Sequence, residues 1–157
     1  MRRDPDDLIM EAGKKMKTEV QVLVARADHG KGIMSACPAM IPADDFLDGI
    51  ERLVGGFLGC VLITIGETEY ECWHDLDACL KDGAVPAALA REFPEAPPLV
   101  LFAPFVFAKR TPEGAPLPIE NGEIRMIGKW LAEGQRELAE FIGQSGLYRR
   151  AFGVTRK

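Results

Sequence analysis

The strongest periodic pattern in the sequence is that of an amphipathic helix, which begins near residues 42–45 and runs to Gly59. Its apolar residues recur at helical spacing: Phe46, Leu47, Ile50, Leu53, Val54, Phe57 and Leu58. We expect this stripe, with Phe57 in it, to face a core. Strand-like patterns lie on both sides of the helix, at residues 18–27, 60–65 and 68–73. A chain with this arrangement is expected to combine helices with a sheet.

Further elements are predicted on either side of this central region. A first helix is expected over residues 4–17, because Asp4 can cap it and Pro5 suits the first helical position. The remaining predicted elements are two short helices, an apolar strand and a long final helix, at residues 74–82, 86–93, 99–108 and 123–143.

The order of the central elements, βαββαβ, is that of a ferredoxin-like sandwich. We therefore expect an α+β protein: a ferredoxin-like sandwich with an extra N-terminal helix and a long C-terminal helix. Pro104 fits a last strand at the sheet edge, since proline in a central strand removes a ladder hydrogen bond. In this arrangement Gly66 and Glu67 form a two-residue hairpin turn. The alternative is a small three-layer α/β protein, in which Gly66 is a bulge and 60–73 is one strand.

The chain has 157 residues, which suits one domain with its own core. We expect residues 1–157 to form that domain, with residues 148–157 as a mobile basic tail. No apolar run reaches the length of about 18 residues that a membrane helix needs. The first residues lack the apolar region of a secretory signal, and the four cysteines show no C-x-x-C motif. These features predict a soluble, cytoplasmic protein that does not contact membranes.

The net charge of −5 is unevenly divided along the chain. Residues 44–96 carry 3 basic and 12 acidic groups, whereas residues 97–157 carry 9 basic and 6 acidic groups. The acidic side chains include Glu67, Glu69 and Glu71, which form an acidic face on the predicted strand 68–73. The basic tail combines charge with apolar anchors, through Tyr148, Arg149, Arg150 and Phe152.

This charge division favours a role in association. We expect a non-catalytic interaction or assembly protein, whose partner is another protein or a second copy of the chain. In the homo-oligomer, the basic tail of one subunit meets the acidic face of another. The alternative is a tail that folds back on the acidic face of its own subunit and leaves a monomer. The negative net charge argues against a nucleic-acid partner.

The alternative function is that of a small cytosolic enzyme or ligand-binding domain. Residues 28–41 are predicted to form a long loop, and long loops in compact domains are often functional. The loop contains Asp28, His29 and Cys37, and an imidazole can take a thiol proton to leave a reactive thiolate. Lys31 lies between two glycines and could hold an anion there. The pattern leaves the choice between enzyme and interaction protein open.

The sequence favours neither a metal site nor a cofactor site. Cys72, His74 and Cys79 lie within eight positions, but their spacing is not that of known zinc sites. The Walker A, G-x-G-x-x-G, H-E-x-x-H, G-x-S-x-G and EF-hand patterns are all missing from the sequence. We therefore expect no metal and no cofactor, and cysteines that stay reduced.

Overall fold

The computed structural model describes residues 18–28, 33–82 and 84–145, and this part of the chain is a mixed α+β protein. The strands are β1 (Glu19–Asp28), β2 (Ile33–Pro42), β3 (Leu58–Ile65), β4 (Thr68–Asp75), β5 (Val85–Ala90), β6 (Leu99–Ala103), β7 (Phe105–Arg110) and β8 (Pro116–Leu117). The helices are α1 (Phe46–Val54) and α2 (Asn121–Ser145), and a short 3-10 helix spans Ala78–Leu80. Across these ranges, no helix is both long enough and apolar enough to span a bilayer.

Six strands form the main sheet, and five of them follow the order β2-β1-β7-β4-β3 with all of their pairs antiparallel. β1 and β2 form one hairpin and β3 and β4 form another, while β7 lies between the two hairpins. The short β8 pairs with the end of β7. β5 and β6 form a separate two-stranded sheet.

The main sheet buries apolar side chains on both faces, because successive side chains of a strand point to opposite sides. We call the two sides the α2 face and the α1 face, after the helix that covers each. The core of the α2 face includes Leu23, Ile63, Tyr70, Phe107, Ile127 and Leu131, together with residues of β5 and β6. The core of the α1 face is Val20, Val22, Val24, Ile41, Phe46, Ile50, Val54, Val106 and Ala108.

The Glu123 carboxylate links the first turn of α2 to the main sheet through hydrogen bonds. Glu123 accepts a 2.6 Å hydrogen bond from the Tyr70 hydroxyl and bonds of 2.9 Å from the Lys109 ammonium. It also accepts a 2.7 Å bond from the backbone N–H of Glu120. Burial alone would raise the pKa of Glu123, but these bonds outweigh it and lower the pKa below its ordinary value.

The predicted central helix is shorter in the structure than in the sequence pattern. α1 ends at Val54, because Gly55 and Gly56 adopt φ values of +74° and +86°, which do not continue a right-handed helix. Phe57 therefore lies beyond the helix, with 64% of its surface exposed. The expectation that Phe57 is a core residue is wrong.

The ferredoxin-like order is not the order of this chain. Residues 33–42, predicted as part of a loop, form β2, and β5 lies where a helix was predicted at 86–93. Pro104 lies between β6 and β7, so it removes no ladder bond, and β7 is a central strand rather than an edge strand. The three-layer alternative agrees with the structure in that both faces of the sheet are covered. It differs in two respects, since Gly66 is a turn residue and not a bulge, and the sheet is antiparallel.

The missed strands have physical explanations. β2 consists largely of small residues and contains Pro38, which an edge strand tolerates because one side of its backbone is unpaired. β5 is rich in alanine, a residue typical of helices, but its position is set by packing. A Cβ atom added to Gly134 of α2 would lie 3.1 Å from the Cβ of Ala88. Small residues on both elements therefore let α2 approach β5 closely.

Other predictions agree with the structure. β1 corresponds to the strand predicted at 18–27, β3 and β4 to those at 60–65 and 68–73, and α2 to the helix at 123–143. Gly66 and Glu67 form the two-residue turn between β3 and β4, and Gly66 has the positive φ of +66° that such turns require. The helix predicted at 4–17 and the tail at 148–157 lie outside the described residues.

Candidate interaction site

The acidic face predicted on β4 is present, but one of its charges is already neutralised. Glu69 and Glu71 lie on the α1 face, opposite to Tyr70, while Glu67 lies in the hairpin turn. Arg110 of β7 donates bonds of 3.0 Å from Nε and of 2.8 Å from Nη2 to the Glu71 carboxylate. The carboxylate that remains exposed on this strand is that of Glu69.

Aromatic rings hold Arg110 in place. Its guanidinium carbon lies 5.3 Å from the centre of the Phe46 ring and 5.8 Å from the Trp73 ring, both within cation–π range. The Trp73 indole N–H donates a 3.2 Å hydrogen bond to Glu71. Arg110 and Glu71 thus belong to a mutually supporting group that connects α1, β4 and β7.

A cleft of about 540 Å³ lies beside this group on the α1 face. It is lined by Leu62, Glu69, Tyr70, Glu71, Arg110 and the turn at residues 111–114. Leu62 is 44% exposed, and Glu69 and Glu113 are exposed. The cleft therefore offers an apolar side chain and two solvent-facing carboxylates, which suits a ligand that is both basic and apolar. We call it the acidic cleft.

The outer edge of the main sheet borders the acidic cleft. β3 pairs with β4 on one side, and no other strand of the described residues pairs with its second side. Its sequence, Leu-Gly-Cys-Val-Leu-Ile-Thr-Ile, contains neither a charged residue nor a proline. Cys60, Leu62 and Thr64 are exposed along it. An uncharged edge strand of eight residues is a template for pairing with another chain.

The opposite edge of the sheet is built differently. β2 contains Pro38 in its middle and Pro42 at its end, and proline lacks the N–H that an added strand would need. Proline on an edge strand is a common device against unwanted pairing. The two edges therefore differ, and among the described strands of the main sheet β3 is the edge strand that has neither proline nor charge.

A second depression lies on the other side of the β3 edge, on the α2 face. Its volume is about 370 Å³, and Ile63, Thr64, Phe93 and Trp130 contribute to its walls. Phe93 is 56% exposed. Glu92 and Glu137 also line this depression. We call it the aromatic groove.

Two of the catalytic candidates in residues 28–41, Asp28 and Cys37, lie at different positions along the β1–β2 pair. Asp28 pairs with Ile33 at the end of the hairpin, while Cys37 pairs with Val24, four residues further along. Four residues of a strand span about 13 Å, so the backbone positions of Asp28 and Cys37 are well separated. Cys37 is exposed, with its thiol 3.9 Å from the Ser35 hydroxyl. His29 and Lys31 lie outside the described residues.

The remaining cysteines and the histidine of β4 have separate environments. Cys72 is a buried core residue, and burial raises the pKa of its thiol. Desolvation, followed by the charge of Glu71, raises the pKa of the Cys60 thiol to about 11. Burial lowers the pKa of His74. Within the described ranges, no three side chains of the metal-binding types lie together.

Sequence reasoning located Glu69 and Glu71 but missed the β3 edge and Arg110. The run of eight uncharged residues at 58–65 was the available signal for an open edge, provided that β3 was known to be outermost. The partner of Glu71 had no sequence signal, since it depends on β7 lying next to β4. Tyr148, Arg149, Arg150 and Phe152 lie beyond the part of the chain that the structure describes.

No protein-family model, no curated protein and no solved structure matches this chain.

Proposed function

We propose that this protein is a non-catalytic assembly protein, in which the basic segment at residues 148–157 of one copy binds at the acidic cleft of another. The open β3 edge beside the acidic cleft is the observation that carries the proposal.

The charges of the two surfaces are complementary. The acidic cleft carries the exposed carboxylates Glu69 and Glu113, and the basic segment contains Arg149, Arg150, Arg156 and Lys157. Exposed ion pairs contribute only about 0–1 kcal/mol each, so charge sets orientation and salt sensitivity more than affinity. Affinity then depends on apolar contacts, which Leu62 of the cleft and the aromatic residues of the segment supply.

A contact between two different surfaces of the same chain is heterologous. Repeated from copy to copy, it closes into a ring or continues as a filament. The proposed product is therefore a filament or a closed ring, of which the dimer that exchanges both segments is the smallest.

Light scattering on the full chain tests this proposal. We expect a solution mass above that of the monomer at low salt, and a decrease as salt is raised. The double variant Glu69→Lys/Glu113→Lys should shift the equilibrium toward monomer. Glu140→Lys makes the same type of charge change at an exposed position of α2 that lines neither the acidic cleft nor the aromatic groove, and it should leave the mass unchanged. A chain that stays monomeric at high concentration and low salt would contradict the proposal.

A further inference from the structure

We infer that the basic segment binds by adding a strand to the outer edge of β3. This inference rests on the proposed function and specifies how the segment is recognised. Strand addition to an exposed sheet edge is a common mode of peptide binding, in which backbone hydrogen bonds give affinity and alternate side chains give specificity.

The backbone of β3 has the groups that this mode requires. Ile65 and Thr68 flank the two-residue turn and are directly paired, so they exchange hydrogen bonds in the antiparallel pattern. Because the pattern alternates, the N–H and C=O groups of Cys60, Leu62 and Thr64 point away from β4. An added strand would satisfy them without any change in the main sheet.

Depressions flank this edge on both faces of the sheet. Leu62 borders the acidic cleft on the α1 face, and Ile63 borders the aromatic groove on the α2 face. Successive side chains of a strand paired with β3 would enter the two depressions in turn. The recognised segment must therefore match the acidic cleft and the aromatic groove with alternate residues.

The basic segment has this alternation. Tyr148, Arg150 and Phe152 fall on one side of an extended chain, and Arg149 and Ala151 fall on the other. The two aromatic residues suit the groove that contains Phe93 and Trp130. When the two aromatic side chains occupy the aromatic groove, Arg149 points to the opposite face of the sheet, where the acidic cleft lies.

The charges next to each position agree with this assignment. Arg149 would meet Glu69 and Glu113 in the acidic cleft. Arg150 would lie in the aromatic groove, whose charged lining residues are Glu92, Glu137 and Arg91, so the acidic groups there exceed the basic one. Both arginines of the segment thus have carboxylates to pair with, but the carboxylates belong to opposite faces of the sheet.

The length of chain after α2 requires the end of that helix to lie close to the β3 edge that the segment joins. Twelve residues, 146–157, follow α2 in the sequence. Fully extended, twelve residues span up to about 40 Å. The paired strand takes residues 148–152, so residues 146 and 147 alone connect it to α2 and span about 10 Å.

A charge-swap experiment tests the alternation on the full chain. Arg149→Glu and Arg150→Glu should each weaken assembly by about tenfold or more in concentration midpoint, since each places a carboxylate beside carboxylates. Adding Glu69→Lys should restore assembly of the Arg149→Glu variant but not of the Arg150→Glu variant. Equal restoration of both variants would contradict strand addition, because it would show that only net charge matters.

Cross-linking to the native Cys60 gives an independent measurement, with Cys37 and Cys79 replaced by serine throughout. Cys60 lies on the α1 face of the β3 edge, so Ala151→Cys should form a disulfide with it under a mild oxidant and Phe152→Cys should not. Adding Cys60→Ser should remove the Ala151→Cys product. Cross-linking from both positions, or from neither, would contradict strand addition.

The outcomes separate the inference from the proposed function. Salt-sensitive assembly in which both arginines behave alike would leave the proposed function standing and overturn the strand mode. A disulfide between Ala151→Cys and Cys60 within a single chain would support the strand mode and contradict assembly through the segment.

Discussion

Arg110 of β7 binds Glu71 of β4 through both Nε and Nη2, at distances of 2.8–3.0 Å. Glu71 was expected to offer its charge to a partner, but it neutralises an arginine of its own subunit. Only a small fraction of each side chain in this pair is exposed, 28% for Arg110 and 17% for Glu71. The pair therefore helps to form the wall of the acidic cleft and contributes no unpaired charge to it.

Arg110→Ala is expected to lower the free energy of unfolding by about 1–3 kcal/mol, because it leaves Glu71 half-buried without its partner and removes the contacts with Phe46 and Trp73. Urea unfolding measures this change. Arg52→Ala is the matched control, since Arg52 pairs with Asp48 at the surface and should change stability by less than about 0.5 kcal/mol. Equal effects at the two positions would contradict the structural role of Arg110.

Glu123→Gln is expected to lower the free energy of unfolding at neutral pH and to make that free energy depend less on pH. The folded-state pKa of Glu123 lies below the unfolded value, so its ionised form contributes stability above the unfolded pKa. That contribution is lost as the pH falls through the folded pKa. Urea midpoints at pH 7 and pH 3 should therefore differ less in the variant than in the wild type.

The control for this experiment is Glu133→Gln, an exposed position on the same helix. It should show the same difference between pH 7 and pH 3 as the wild type. A Glu123→Gln variant with an unreduced difference would show that the contacts with Tyr70 and Lys109 do not stabilise the folded state.

Two of the elements that the sequence predicted correctly, β4 and α2, have a pattern with one exposed and one buried side. β4 alternates between Glu69, Tyr70 and Glu71, and α2 carries an apolar stripe that includes Ile127 and Leu131. The elements that were missed are β2 and β5, where small residues serve close packing or an unpaired edge. Alanine at such positions carries helical propensity, which tertiary packing overrides.

Phe57→Ala is expected to change the free energy of unfolding by less than about 1 kcal/mol, because Phe57 is 64% exposed. Phe105→Ala should cost about 3–5 kcal/mol, since Phe105 is fully buried and its ring lies 5.7 Å from that of Phe107. Denaturant midpoints of the two variants make the comparison. A large loss of stability in the Phe57→Ala variant would show that Phe57 is a core residue after all.

Gly134→Ala and Gly128→Ala are expected to act in opposite directions, although both replace a helical glycine of α2. No atom lies within 4 Å of a Cβ added to Gly128, so alanine there should stabilise the helix by up to about 1 kcal/mol. At Gly134 the added methyl group lies 3.1 Å from Ala88 and 3.2 Å from the Leu89 carbonyl, which overpacks the contact with β5.

Thermal or urea unfolding of the two glycine variants checks this expectation. Gly134→Ala should be about 1 kcal/mol or more less stable than Gly128→Ala. Equal stabilisation of both would show that α2 can move away from β5 at little cost.

The candidate site depended on information that one sequence does not contain. The acidic character of Glu69 was visible, but its position beside an open edge requires β3 to be outermost, which long-range strand order decides. Likewise, residues 33–42 form a proline-bearing edge strand, and no local pattern distinguishes them from a loop. Local propensity describes an element, whereas its neighbours in the sheet come from contacts distant in sequence.

The position of β7 between the two hairpins also bears on how the chain is made. In the described part of the sheet, β1 and β4 have no pairing with each other, and both pair with β7. An isolated two-stranded hairpin is only marginally stable in water. A nascent chain that has not yet reached residues 105–110 thus lacks the strand that joins the β1–β2 pair to the β3–β4 pair. The single sheet forms late in synthesis, when Phe107 can pair with Leu23 across 84 positions of sequence.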